Sequence, residues 1–329
     1  MIKLFKQKLI KIPVPNKRVD ERDTMFARMA RKPNNSAYKD YYSNHPGLIK
    51  KDDYIRSLPA LLDTQGKYYT KKYSERAHQL FESIENIIID KDVIVKYSKL
   101  FAKNEINPKH IKYIIKGLGG VATRFTHLEK MFIYSHKGRF DNNYGDEILL
   151  DHPSIIVFLV EMDYEQMSQS PKSNVIAESA NQYYRAALIS KTLEAIIKNI
   201  GYEAKAHFDA NYDIILPPLA VQAGLGELGR NNILIADKYG SRVRIGAIST
   251  NMPLEYDEAI SIGVENCYTL WRKYGTDCGI CMAVCPFSHK NNWLHNLVRS
   301  FVKYFPIFNN LLVIIDNIIY GKKWRIKQI

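Results

Sequence analysis

The sequence predicts an α+β body followed by a small cysteine-bearing segment near the carboxyl end. Three observations carry that expectation. Residues 154–160, SIIVFLV, are almost wholly apolar and β-branched, as expected of a strand covered on both faces. Residues 174–200 set Ala180, Tyr184 and Leu188, then Ile189, Leu193, Ile196 and Ile200, at three- and four-residue steps, which is the period of a long helix. Strand-like and helix-like runs are mixed without the regular alternation of a βαβ fold.

Residues 1–75 are polar, rich in Tyr, Lys and Asp, and weakly periodic, so they are expected to form an irregular extension wrapping the body. Residues 76–103 carry a helical pattern through Leu80, Ile84, Ile87 and Ile88, then Val93, Val95 and Leu100. A short helix is expected over 108–116. Asn107 can cap it, Pro108 suits its first position, and Gly117, Gly119 and Gly120 end it. Strand-like runs come next at 131–134, 148–150 and 154–160. The long helix closes at Gly201, and further strand-like runs occupy 212–216, 232–236 and 242–249. This gives an extension over 1–75, a core over 76–255, a cysteine segment over 256–295, and an amphipathic helix with a basic tail over 296–329.

Composition narrows the function classes. With 46% hydrophobic residues in 329, the chain has the apolar content of a folded protein and not of a disordered one. Four cysteines exclude a disulfide-rich scaffold. The net charge of +13 admits nucleic acid, a membrane surface or simple solubility as its meaning. Basic runs are local and no aromatic–basic RNA motif is present, so a nucleic-acid partner is disfavoured. The start, MIKLFKQKLIKIPVPNKR, has lysines breaking every apolar pair, which argues against a secretory leader and for a cytoplasmic protein. The apolar stretch 305–320 is interrupted by Asn309, Asn310, Asp316 and Asn317. It reads as an amphipathic helix packed on the body, or as one making peripheral membrane contact.

Residues 224–229, GLGELG, match a dinucleotide-binding glycine pattern literally. The next residues, Arg230 to Ala236, read as a turn and strand, and no acid stands about 20 residues on, so the pattern lacks its context. A tight turn is the better reading, either purely structural or one in which Gly224, Gly226, Gly229 and Arg230 bring backbone close to a bulky ligand.

All four cysteines lie between Cys267 and Cys285. The order is Cys267, then Cys278-x2-Cys281-x3-Cys285-Pro286, with ten residues between the first two cysteines. A zinc ribbon would show two C-x2-C pairs. The C-x3-C-P ending instead belongs to ferredoxin-type runs, whose thiolates hold iron–sulfur clusters. Four thiols support at most one [4Fe–4S] cluster, held by all four or by Cys267, Cys278 and Cys281 with another fourth ligand. Such a cluster beside a large body implies one-electron transfer into a second redox centre.

With these motifs in hand, the chain resembles the reductive dehalogenase family and, more distantly, epoxyqueuosine reductase. The resemblance runs through ERDTMFARMARKP, YKDYYSNHPGL, HPSIIVFLVEMDYEQMSQSP, NQYYRAALISKTLEAIIKNIGYEA, PPLAVQAGLGELGRNNILIADKYGSRVRIGAIST and CGICMAVCPFSHK. It implies a nitroreductase-like core that binds cobalamin and a ferredoxin-like cluster segment. It further implies reductive cleavage of a carbon–halogen bond in an organohalide, fed by a ferredoxin- or flavodoxin-type donor. The family's proton-donating tyrosine maps to Tyr183 or Tyr184. The neighbouring cation maps to Arg242, with Arg244 as second choice. Adjacent helical positions do not share a face, so one tyrosine is expected to be packing only. The family's first cysteine run has no counterpart here, which makes the chain a shortened member. The resemblance to epoxyqueuosine reductase implies a tRNA-modifying alternative. A corrinoid-binding or electron-carrying protein without catalysis is the other.

Overall fold

The computed structural model describes residues 15–101, 108–209, 211–229, 232–236 and 238–257, with 293, 296 and 297. The four cysteines, Arg230, Asn107 and the expected C-terminal helix lie outside them.

Much of the described part of the segment expected to be irregular is helical. A 3-10 turn at Glu21–Asp23 leads into α1 (Met25–Ala30), α2 (Ser36–Asn44) and α3 (Ile49–Ser57). Thr24 and Asn35 cap α1 and α2 by accepting from Ala27 N and Tyr38 N. These helices are held by charge more than by apolar stripes, which is why periodicity missed them. Asp52 is fully buried. It accepts from Arg28 Nε at 2.9 Å and from the Tyr42 hydroxyl at 2.8 Å.

The single helical pattern of 76–103 is two helices, α4 (Lys71–Glu85) and α5 (Lys91–Ser98). Asn86 ends the first, and Asp90 starts the second by accepting from Asp92 N at 2.8 Å. Helix α6 (Pro108–Gly117) comes next, and the chain reverses through Gly119 at φ +98°.

The centre is a four-stranded antiparallel sheet built from β1 (Ala122–His127), β2 (Ser154–Glu161), β3 (Ala204–His207) and β6 (Val243–Thr250), in the order β1-β2-β6-β3. Its register pairs Ile156 with Ile248 and Phe158 with Gly246. Alternation divides the core. Ile156, Phe158 and Val160 join Ile248 in packing against α6 and the long helix α8 (Asn174–Asn199), which comes after the single turn α7 (Tyr164–Met167). Ile155, Val157 and Leu159 join Val243 and Ala247 on the opposite face. There they meet α9 (Leu216–Gln222) and the two-stranded ribbon of β4 (Glu227–Leu228) and β5 (Leu234–Ile235). Gly246 is required by this packing, because a Cβ there would stand 2.4 Å from the Phe158 ring.

Several expected strands are not regular strands. Residues 131–134 form a 3-10 turn (Lys130–Phe132) with a single bridge from Ile133 to Ile214, and 148–150 has no strand. Residues 212–216 contribute only that bridge before the prolines of α9 start a helix. The long helix, the 108–116 helix and the strands of 154–160 and 242–249 stand where expected, within a residue or two. Among the described residues no helix is long and apolar enough to cross a membrane.

Candidate active site

Helix α8 presents its two adjacent tyrosines to different surroundings, as a step of about 100° per residue demands. Tyr183 meets β6: the Arg244 guanidinium lies over its ring at 4.6 Å from the centroid, and Phe81 of α4 stands 6.1 Å away on another side. Tyr184 instead lines a separate cleft between α4 and α8, beside Ile87, Ile88 and Leu188.

The two candidate arginines also part. Arg242 is buried, and its Nη1 donates to Glu161 Oε1 at 2.9 Å and to the Met162 carbonyl at 2.6 Å. Its guanidinium faces the Tyr164 ring at 5.6 Å. Arg244, the second choice from sequence, is the one stacked on Tyr183. Its Nη2 donates to the hydroxyl of Ser179, a fully buried residue one helical turn before Tyr183. Helix and strand thus clamp one guanidinium over one phenol.

Tyr183 opens on a cavity of about 310 Å³ walled by Phe26, Leu62, Phe81, Phe140 and Ile176 among others. This is an apolar pocket with a few polar groups converging on it, the usual form of a small-molecule site. Its opposite wall carries Arg139 and Asp209, paired at 3.1 Å. Arg139 rests against Phe26 and Phe140 at 5.4 and 5.9 Å. Burial pulls the Arg139 pKa down, but Asp209 and Tyr212 more than offset it, so the guanidinium stays charged. Behind it Tyr134 and Tyr212 lie 6.0 Å apart. Burial pushes the Tyr212 phenol up to about 12 even though Arg139 works the other way.

Sequence reasoning did not select Ser179, Arg139, Asp209 or Phe26. Ser179 was findable, since it shares the Tyr183 face at four residues' spacing. The others come from segments with no helical or strand pattern to aim them.

The glycine stretch is a turn leading into a ribbon, as its context suggested. Gly224 takes φ +78° just after α9, and a Cβ on Gly226 would stand 2.3 Å from the Ile235 carbonyl oxygen. Local packing therefore accounts for both. Neither Gly224, Gly226 nor Gly229 lines the Tyr183 cavity. Asn232 in the same turn holds φ +63°, and both polar atoms of its amide are buried without a partner among the described residues.

No family model matches the chain. A tetrachloroethene reductive dehalogenase of Desulfitobacterium hafniense is 28% identical over 44% of this chain and 35% of its own length. That of Sulfurospirillum multivorans is 26% identical over 56% of this chain and 46% of its own length. An epoxyqueuosine reductase of Lactococcus garvieae is 30% identical over a shorter stretch, 24% of this chain and 22% of that protein. The chain therefore spans less than half the length of these relatives. Among solved structures, a catabolic reductive dehalogenase superposes on 92% of this chain and 46% of its own, with a TM-score of 0.67 at 18% identity, which is a likeness of fold. Another reductive dehalogenase structure, described as suggesting a mechanism for B12-dependent dehalogenation, superposes on 81% of this chain and 45% of its own with a TM-score of 0.61 at 19% identity. The chain is thus a homologue of the reductive dehalogenases, which are oxidoreductases, with a more distant likeness to epoxyqueuosine reductase.

Proposed function

We propose that this chain is a reductive dehalogenase-like oxidoreductase that replaces a halogen on a small organic substrate by hydrogen. The observation that carries the reading is the Tyr183 phenol held under the Arg244 guanidinium at the wall of an apolar cavity. Replacing halogen by hydrogen consumes two electrons and one proton and releases halide. Tyr183 is the group placed to give the proton. A free phenol, with a pKa near 10, is a weak donor at neutral pH. A guanidinium against its ring stabilises the phenolate that donation leaves behind. Ser179 keeps that guanidinium in place, and the Phe26, Phe81 and Phe140 rings exclude water from the reacting carbon.

Two cofactors belong to this reading. Cys267, Cys278, Cys281 and Cys285 would hold one [4Fe–4S] cluster that passes electrons singly, taken from a ferredoxin- or flavodoxin-type donor. The second is cobalamin, which when bound would supply low-potential electrons to the carbon–halogen bond. The amide of Asn232, buried and without a partner among the described residues, suits a ligand whose rim carries amide groups, and it supports a corrinoid reaching the glycine turn. In this reading 76–255 is the corrinoid core, 256–295 the cluster segment and 296–329 the terminal helix and basic tail.

Metal analysis of anaerobically purified, cobalamin-reconstituted protein tests the proposal directly. About one cobalt and four irons per chain, with the EPR signal of a reduced [4Fe–4S] cluster, are expected. Halide release from a halogenated phenol or alkene under a strong reductant completes the test. Iron-free protein, or zinc in place of iron, would overturn the cluster assignment. Protein that binds cobalamin and the cluster yet never releases halide would overturn the activity.

A further inference from the structure

We propose that the cleft where helices α4 and α8 begin is a second ligand site, and that it takes the phosphate group of a small molecule. It encloses about 360 Å³ and shares no described lining residue with the Tyr183 cavity. The proposal goes beyond the reductase reading and stands or falls separately.

The two helices run side by side in one direction. Ala77 of α4 packs with Ile176 and Ala180 of α8, and two turns further on Ile84 packs with Ala187. Their N-termini therefore reach the same cleft. Thr70 and Tyr73 line it at the start of α4, and Lys172, Ser173 and Asn174 at the start of α8. Each helix end carries about half a positive charge on its first N–H groups, which have no partner within the helix. Side by side the two ends repel, and an anion between them removes the repulsion.

Neither first turn supplies that anion. Thr70 and Ser173 stand at the N-cap positions and are of the residue type that caps, yet neither side chain accepts from its helix. Neither first turn holds an acid, and α4 opens on Lys71 and Lys72 instead. Among the described lining residues the charged ones are Lys67 and Lys172, both exposed and neither paired with an acid. Lys67 rests on the Tyr68 ring at 5.6 Å. Glu75, one turn along α4, faces Lys71 at 3.8 Å and does not line the cleft.

Ser173 is the independent observation. It is only 3% exposed, and its Oγ is buried with no hydrogen-bond partner among the described residues. A buried hydroxyl is rarely left so. It lines the cleft beside the first N–H groups of α8. The hydroxyl, the backbone N–H groups and the two ammonium groups are all donors, and they approach from different sides. A ligand that answers them accepts in several directions and carries more than one negative charge. A phosphate monoester, with three strong acceptor oxygens, does both, whereas a planar carboxylate offers two oxygens and one charge.

Isothermal titration of the full chain with inorganic phosphate, phenyl phosphate and acetate at constant ionic strength tests this, with and without cobalamin. Both phosphates are expected to bind with saturation, acetate more weakly than either, and cobalamin to leave their affinities unchanged. Ser173→Ala is expected to weaken phosphate by about 10–100-fold, the scale of one hydrogen bond to a charged group. Lys67→Gln combined with Lys172→Gln removes two exposed charges and is expected to weaken it by about 3–30-fold. The lysine variant keeps the test open if Ser173→Ala fails to fold. Sedimentation with phosphatidic acid vesicles separates a lipid headgroup from a free ligand, and no pelleting that phenyl phosphate reverses is expected. No heat from either phosphate at millimolar concentration would overturn the proposal. So would binding that both variants leave unchanged, cobalamin displacing phosphate, or vesicle pelleting that phenyl phosphate reverses.

Discussion

Tyr183 and Arg244 lie 61 positions apart in sequence yet share one face-to-ring contact, and the proposed chemistry depends on that pair. Tyr183→Phe is expected to lower halide release by about 10²–10⁴-fold, the usual scale of a positioned proton donor. Tyr184→Phe, in a different cleft, is expected to leave it unchanged. Arg244→Gln is expected to slow turnover and to move the alkaline limb of the pH–rate profile upward, because the phenolate loses its cation. A limb that stays in place while the rate falls would make Arg244 a packing residue. His207 offers a separate pH test. It is fully buried, its Nε2 meets Ser249 Oγ at 2.9 Å, and burial pulls its pKa down to about 3. The unfolded chain takes up that proton below about pH 6.5 while the folded chain refuses it. Stability is therefore complete above pH 6.5 and falls as the pH drops toward 3, by at most about 1.4 kcal/mol per pH unit for one proton. His207→Gln should flatten that slope in chemical denaturation at stepped pH. At this scale the sequence exposed the tyrosines and both arginines through their motif. It could not rank Arg242 against Arg244, since only the packing of β6 on α8 decides which guanidinium meets the ring.

The seam between β2, β6 and α8 is where the elements lock. Phe158 is fully buried on β2, and Gly246 on β6 gives its ring room. Gly246→Ala forces the ring or the strand to move, a clash that typically costs about 1–3 kcal/mol. Phe158→Leu in the same chain should return part of that loss, a coupling that a double-mutant cycle of denaturant midpoints would measure. Additive effects would show that the ring and the glycine do not meet. The run at 154–160 and the periodicity of 174–200 made both partners of this seam legible, because buried elements carry long uniform signals. The outer strands β1 and β3 gave no such signal. ATRFTH is half exposed and AKAH is only four residues long, so alternation had nothing to work with.

At the scale of the whole molecule, the N-terminal helices are fastened to the body as well as to each other. Arg18 donates to the Ile133 and Ile148 carbonyls, and the Glu21 carboxylate accepts from Gly138 N at 2.7 Å. Phe26 of α1 then reaches the Tyr183 cavity. Removing one partner of a buried ion pair costs about 3–5 kcal/mol, so Asp52→Ala, which strands Arg28 and Tyr42, should destabilise by that order. Hydrogen exchange should quicken across 21–57 before it does in the sheet, and turnover should fall with it as Phe26 loosens. Unchanged protection over 21–57 would mean that the ion pair does not hold this layer. None of this was legible beforehand, because the segment's short helices are joined by Arg–Asp and Tyr–Asp contacts that leave no periodic trace.

The parity of β6 has a consequence of its own. Val243 and Ile245 point to the α9 side while Arg244 points to α8. Adding or deleting a single residue in the turn just before this strand would exchange those roles at a stroke. An aliphatic group would then sit against the phenol, and a charged one would be driven into hydrocarbon. No intermediate alignment exists for such an insertion to settle into, so length changes around 237–241 should yield either the intact molecule or insoluble chain, with nothing partly competent between.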